Sequence, residues 1–246
     1  MKKVIVLMAL ILSGILANAQ DNENLFEKEY KFPLALDKGK GKVAGAMDFS
    51  NTDLDDDAIF TNLYAWIAKN IGRDNVVNIS ASKKVISCKY SLEGRNAMPV
   101  TGKKNVYYFS TAFRVANKFI NVEQSELEVE PAMTMPFGKK NVGIEKYAAL
   151  RKPADKNIID EFNDINNELL ESLMDYVSTN VPEQVTNWDY IISKRVIEGM
   201  TMTEVEFALS IPQSVVEGNE ETQWMYGLSL IVYFDNKTKK VTRILR

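Results

Sequence analysis

Four stretches of the chain are rich in β-branched and aromatic residues: Val76 to Ile79, Val85 to Leu92, Val106 to Val115 and Phe119 to Val129. Such runs predict strands, and Val85 to Tyr90 is an alternating one. Asn117-Lys118 predicts a hairpin turn between the last two, and Glu93-Gly94 with Pro99 and Gly102 a longer connection before them. Glu126, Glu128 and Glu130 alternate along the final run, as expected of a sheet with one wet face. Tyr30 to Leu36 reads as a first strand, which Pro33 pushes toward an edge or a bulge.

Two segments repeat with the period of a helix. Ile59, Leu63, Ile67 and Ile71 recur every fourth residue in a helix predicted over Asp53 to Ile71, with Asp55, Asp56 and Asp57 at its positive end. Ile158, Phe162, Ile165, Leu169, Leu173 and Val177 make a stripe over Asp155 to Asn180, stopped by Pro182. A stripe of that width is the face that covers a sheet. Pro131 to Pro153 reads as irregular. The order strand, helix, four strands, helix predicts an α+β unit with an antiparallel sheet and two helices.

Thr201-Met202-Thr203-Glu204 spells a capping box, with Met200 and Val205 placed as the hydrophobic staple around it. Gly199 relaxes the entry and Pro212 ends a short helix that carries Val205, Ala208 and Leu209. Three strands are predicted after it: Thr222 to Tyr226, Leu228 to Phe234 and Lys240 to Leu245, with a turn at Asp235 to Thr238. Trp224 and Tyr226 share one face of their strand, where core packing is the expected role.

Two resemblances follow from these residues. The element order over about residues 25 to 180, with Tyr64, Trp66 and Ile67 in the first helix, resembles the TBP-like fold of an exported bacterial family of unknown function. Such a shape does not bring DNA binding with it. The run Gly199-Met200-Thr201, Val205, Ala208-Leu209, Pro212, Trp224-Met225-Tyr226, Phe234, Val241 and Ile244 resembles the SmpA/OmlA (BamE-like) family of the outer-membrane β-barrel assembly machinery. Ser210 stands where that family usually has Gly, and this chain lacks the family's lipid-anchor cysteine. The shared residues are folding residues, so no partner-binding residues carry over. The division that follows is a leader over 1–19, a TBP-like α+β domain over 20–185 and an SmpA/OmlA-like helix plus three-stranded meander over 186–246.

The leader rests on Lys2 and Lys3, the apolar run Val4 to Leu16, and the small residues of Ala17-Asn18-Ala19. That run is too short to span a bilayer, which takes roughly 20 residues. The expectation is export, to the periplasm or beyond, as a soluble chain with no transmembrane segment and no lipid anchor. The formal net charge of −3 becomes more acidic once Lys2 and Lys3 are removed, which disfavours nucleic acid and anionic lipid as partners.

Composition removes several chemistries. With no histidine, Ser-His-Asp catalysis and histidine metal sites are excluded, and the lone Cys88 forms no internal disulfide or cysteine cluster. Cys88 lies in an alternating run and reads as a small buried strand residue. Asp53, Asp55 and Asp57 copy the start of a calcium loop, but Ala58 replaces the turn glycine and Tyr64 the bidentate Glu. The glycines of Lys38-Gly39-Lys40-Gly41-Lys42 lack phosphate-loop spacing. Ser82-Lys83 and Ser193-Lys194 are adjacent, and neighbours on a strand point to opposite faces, a poor geometry for a dyad.

No catalytic, cofactor-binding or metal residues are therefore assigned, and no cofactor is expected. The leading expectation is a non-enzymatic protein-binding or scaffolding module of the cell envelope, with an envelope protein as partner. Two alternatives stand beside it. One is an enzyme using carboxylate, Tyr or Lys chemistry in a cleft between the domains. The other is a proteinaceous inhibitor or small-ligand carrier, which requires exposed aromatic side chains among Trp66, Trp188 and Trp224.

Overall fold

The computed structural model describes residues 32–37, 40–97, 102–132, 141–144 and 157–246. The leader, Tyr30, Lys38-Gly39, Pro99, Pro153 and the Asp155 start of the second helix lie outside the described residues. The chain is α+β, with an antiparallel seven-stranded sheet and an antiparallel four-stranded sheet.

The first sheet comprises β1 (Leu36–Asp37), β2 (Lys42–Asp48), β3 (Val76–Ser80), β4 (Val85–Glu93), β5 (Val106–Ala116), β6 (Phe119–Glu130) and β7 (Val142–Gly143). Their order is β1-β2-β6-β5-β4-β3, with β7 beside β6. Among the described residues of the predicted first strand, Leu36 alone pairs, with Val43, and β7 is a strand in the segment expected to be irregular. Asn117 and Lys118 both take positive φ in the β5–β6 turn, as a tight two-residue hairpin requires. Along β6 the buried set Ile120, Val122, Gln124 shifts phase to Leu127, Val129. The shift is a bulge at Glu126, whose φ is +56°, where the register with β5 slips. It turns the side chain of Glu126 onto the wet face, where its carboxylate meets Lys89 and Ser110.

Helix α1 (Asp56–Ile67) begins where the acidic run predicts. Asp55 caps the Ala58 N–H at 2.8 Å, Asp56 accepts the Asn117 and Lys118 N–H groups of the hairpin turn, and Asp57 pairs with Lys84. Each acid thus has a structural partner, and among the described residues no acidic cluster is arranged to hold a metal. Ile59, Leu63 and Ile67 are fully buried, each contributing about 1.5–3 kcal/mol. Ile71 lies beyond the α-helix, in a π turn (Ala68–Gly72) followed by a 3-10 turn (Arg73–Asn75).

Helix α2 (Asn157–Thr179) lies on the sheet beside α1. Its stripe meets the aromatic sheet face, with Phe162 against Tyr107 and Phe109. Polar bonds fix its position. Asn166 and Gln124 exchange two hydrogen bonds of 2.8 and 2.9 Å inside the core. Asn163 and Asn167 accept the Leu36 and Leu34 N–H groups, and Asn62 of α1 donates to the Val177 and Asn180 carbonyls at its exit. Such satisfied buried pairs set register more than they add stability.

The C-terminal region contains α3 (Trp188–Ile192), α4 (Met202–Leu209), β8 (Ser214–Glu217), β9 (Glu221–Tyr226), β10 (Leu230–Asp235) and β11 (Val241–Leu245). The predicted three-stranded meander has four strands, in the order β11-β10-β9-β8. All four β8 residues are exposed, so its sequence carries no alternation to read. The core runs without a break from the first sheet through α1 into this region. Trp188 packs edge-on to Phe60 and Tyr64, and Tyr64 packs on Phe207 of α4 while its hydroxyl donates to the Phe207 carbonyl. A recess of about 240 Å³ lies beside β3 near this contact, lined by Tyr64, Arg73, Ile191 and Lys194.

Candidate functional site

A groove of about 830 Å³ wraps the open edge of β4. It arises from a mismatch in strand length. β3 pairs with β4 only as far as Cys88, because the 3-10 turn at Arg73–Asn75 carries the chain away before Val76. β4 continues to Glu93 with β5 on its other side alone. Backbone direction along β4 follows from two bonds at its ends: Gly94 N–H to Asn105 and Val115 N–H to the Lys84 carbonyl. Antiparallel alternation then directs the even-numbered residues toward β5 and the odd-numbered ones away from it. Val85 and Ser87 use their outward groups on β3, and the Val76–Cys88 pair closes through the Asn75 carbonyl on the Lys89 N–H, so Ser91 is the residue that turns its outward groups into the groove.

One wall comes from Asn70, Ile71 and Asn75 in the turns after α1, together with Leu169 of α2. The other side is the wet sheet face, with Tyr108, Ser110, Glu126 and Glu128. Lys89 is joined to Glu126 at 2.9 Å, and this pair together with the Ser110 hydroxyl holds the Glu126 carboxyl below its usual range. The Tyr108 hydroxyl donates to Glu130, and burial together with that carboxylate raises its pKa. The groove thus has an apolar helix side, a charged sheet side and a backbone edge between them.

Carboxylates elsewhere serve as anchors. Glu161 of α2 accepts the Arg95 and Asn96 N–H groups and the Tyr107 hydroxyl, the last at 2.5 Å. Burial works to raise its pKa, but those donors and Asn105 outweigh it and the carboxyl titrates low. A Cβ at Gly94 would sit 2.9 Å from Glu161 Oε2, so a larger residue there would push that carboxylate aside. Glu206 is raised, by desolvation and by Glu183, but it lies on the exposed side of α4 and lines neither recess.

The residues singled out in the C-terminal motif come together as a folding unit. Thr201 and Glu204 form the capping box, and Met200 and Val205 are both fully buried around it. Glu204 is itself buried, at 1% exposure, and reaches further than a cap. Its Oε1 accepts the Thr186 and Asn187 N–H groups, and its Oε2 the Thr201 N–H and the Asn187 amide. Burial again opposes ionisation, and the hydrogen bonds win, so its pKa is lowered. Gly199 takes φ +87°, and its N–H pairs with Val241 at the edge of β11. Trp224 stacks on Phe234 in the core, Tyr226 is half-buried with its hydroxyl on the Ser210 carbonyl, and Leu209 and Pro212 are partly covered. Trp66 is buried and Trp188 is half-buried among aromatic rings.

Neither Ser-Lys pair lies on a strand. Ser82-Lys83 occupies a turn, and Ser193-Lys194 ends α3, with the Ser193 hydroxyl donating to Asp189 and Lys194 on Asp74. Arg73, Glu161 and the β4 edge escaped sequence reasoning because each is set by contacts distant along the chain. One signal was present: the apolar run of Val76 to Ile79 is half as long as the Val85 to Leu92 run it pairs with, so part of the longer strand must lack a neighbour.

The chain matches no protein-family profile and no curated protein. Among solved structures it is similar to a TBP-like protein from Parabacteroides distasonis, with 18% identity over 58% of this chain and 97% of that one, at a TM-score of 0.44. It is also similar to a DUF4468 family protein from Bacteroides ovatus, with 9% identity over 61% of this chain and 94% of that one, at a TM-score of 0.45. No helix among the described residues is long and apolar enough to cross a membrane.

Proposed function

We propose that this chain is an exported, non-enzymatic protein-binding module of the cell envelope. In this reading a TBP-like domain is followed by an SmpA/OmlA-like domain, and the β4 groove receives the partner. The groove carries the proposal: it is large, and its floor is an unpaired strand edge between apolar and charged walls. The engagement of Glu161 and Glu204 by loop and cap donors supports a binding role over carboxylate catalysis. Ser210 supports the SmpA/OmlA resemblance, since its φ of +75° and ψ of −171° suit the glycine that family usually carries there.

Photo-crosslinking in the native host tests this. Probes replace Asn75 and Ser91 at the groove and Glu171 on the exposed side of α2. The expected result is adducts to one envelope protein from the groove positions and none from Glu171. Well-expressed, folded protein that gives no adduct from either groove position overturns the proposal.

A further inference from the structure

We infer that the β4 groove takes its partner as an extended polypeptide segment, added as a strand beside Ser91 in line with β3. This rests on the protein-binding reading above and specifies the form of the partner.

The groove continues an existing ladder. β3 already occupies the same edge over Val85 to Cys88 and runs antiparallel to β4. The last pair, Val76 with Cys88, closes through the Asn75 carbonyl on the Lys89 N–H, and one step further the outward N–H and C=O groups of Ser91 face the groove, with no strand paired to them among the described residues. A backbone edge of this kind is complementary to another backbone, which returns donors and acceptors at the same spacing. A compact small molecule does not match that repeat. A segment antiparallel to β4 would approach Val76 with its C-terminal end, taking the position the chain leaves when it turns aside at Arg73–Asn75.

The walls define which side chains fit. Residues of the added strand that face the helices meet Ile71, Leu92 and Leu169, an apolar surface that favours an aliphatic or aromatic residue. Alternate residues face the wet side near Lys89 and Ser91, where Lys89 is already neutralised by Glu126. The partner is therefore an alternating segment, apolar on one side and polar on the other. A helix presents no free backbone groups to a strand edge and does not fit.

The test uses the full mature chain and a display library of unbiased linear peptides, with enriched peptides resynthesised for affinity measurement. Ser91→Pro removes the outward N–H and places a ring at the edge, without touching the β4–β5 bonds. Ser91→Ala keeps the N–H. The expected result is that Ser91→Ala binds within about twofold of wild type, whereas Ser91→Pro loses about tenfold or more. If Ser91→Pro fails to fold by circular dichroism, Ile71→Lys replaces it and is expected to weaken the same peptides through the apolar wall. Equal binding by the edge and wall variants overturns the inference, as does a library that yields no binder. Amide exchange that finds Ser91 protected in the free protein also overturns it, because the chain's own residues then fill the edge. The two readings fail separately: host crosslinks from Asn75 that persist in Ser91→Pro retain protein binding and reject strand addition, and loss of all groove crosslinks in wild type rejects both.

Discussion

Replacing Glu204 by Gln is the sharpest test of how the C-terminal region is held. The carboxylate is buried and accepts three backbone N–H groups, from Thr186, Asn187 and Thr201, together with the Asn187 amide. Gln preserves the volume but exchanges one acceptor oxygen for an NH₂ that faces donors whichever way it is turned. At least two charge-assisted bonds are lost, each worth about 1.5 kcal/mol or more, so about 3 kcal/mol is expected. For a chain of this size that lowers Tm by about 6–12 °C. Because the folded carboxyl titrates below its unfolded value, its contribution is fully present above about pH 4.5 and is lost as the pH falls through the folded pKa. Urea titrations from pH 7 to pH 3 should therefore show the gap between wild type and Glu204→Gln narrowing in acid. A variant within about 0.5 kcal/mol of wild type at pH 7, or a gap that does not change with pH, refutes the anchor role.

Four further outcomes are expected. Arg73 donates to the Glu206 and Ala208 carbonyls and to the Ser210 hydroxyl at the end of α4, so Arg73→Ala should cost about 2 kcal/mol in urea denaturation. In that background Ser210→Gly should recover about 1 kcal/mol, because the positive φ is relieved with no hydrogen bond left to lose. Gly45→Ala places a Cβ 1.9 Å from Leu34 Cδ2 and should cost about 1–3 kcal/mol, read as a lower Tm. Burial pushes the Cys88 thiol up to about 12, so a disulfide reagent at pH 8 should leave native protein unlabelled and react on unfolding.

The fold was legible where the pattern is local. β4, β5 and α1 follow their apolar periods closely, and the capping box at Thr201 and Glu204 is written in consecutive residues. β8 was not legible, because its four residues are all exposed and produce no alternation. α3 escaped for another reason: five residues give too short a period, and Trp188 fixes them through contacts with Phe60 and Tyr64 over a hundred positions away. The bulge at Glu126 hides in a strand whose charges still alternate on the page, since the slip moves the inward set by one and leaves the acids outside. The groove is harder still. Ser91 looks the same with or without a neighbouring strand, and what leaves it bare is the turn at Arg73–Asn75 on another segment.

The aromatic contact between α1 and α4 has a consequence for biosynthesis. Tyr64 meets Phe207 across 143 positions of sequence. A ribosome delivers the amino end first, so Phe60 and Tyr64 emerge long before Trp188 and Phe207 exist to cover them. During that interval the nascent chain displays a sticky surface that its own earlier residues do not shield. A chain cut short after β6 would leave Phe60 and Tyr64 without the rings of Trp188 and Phe207 that pack on them.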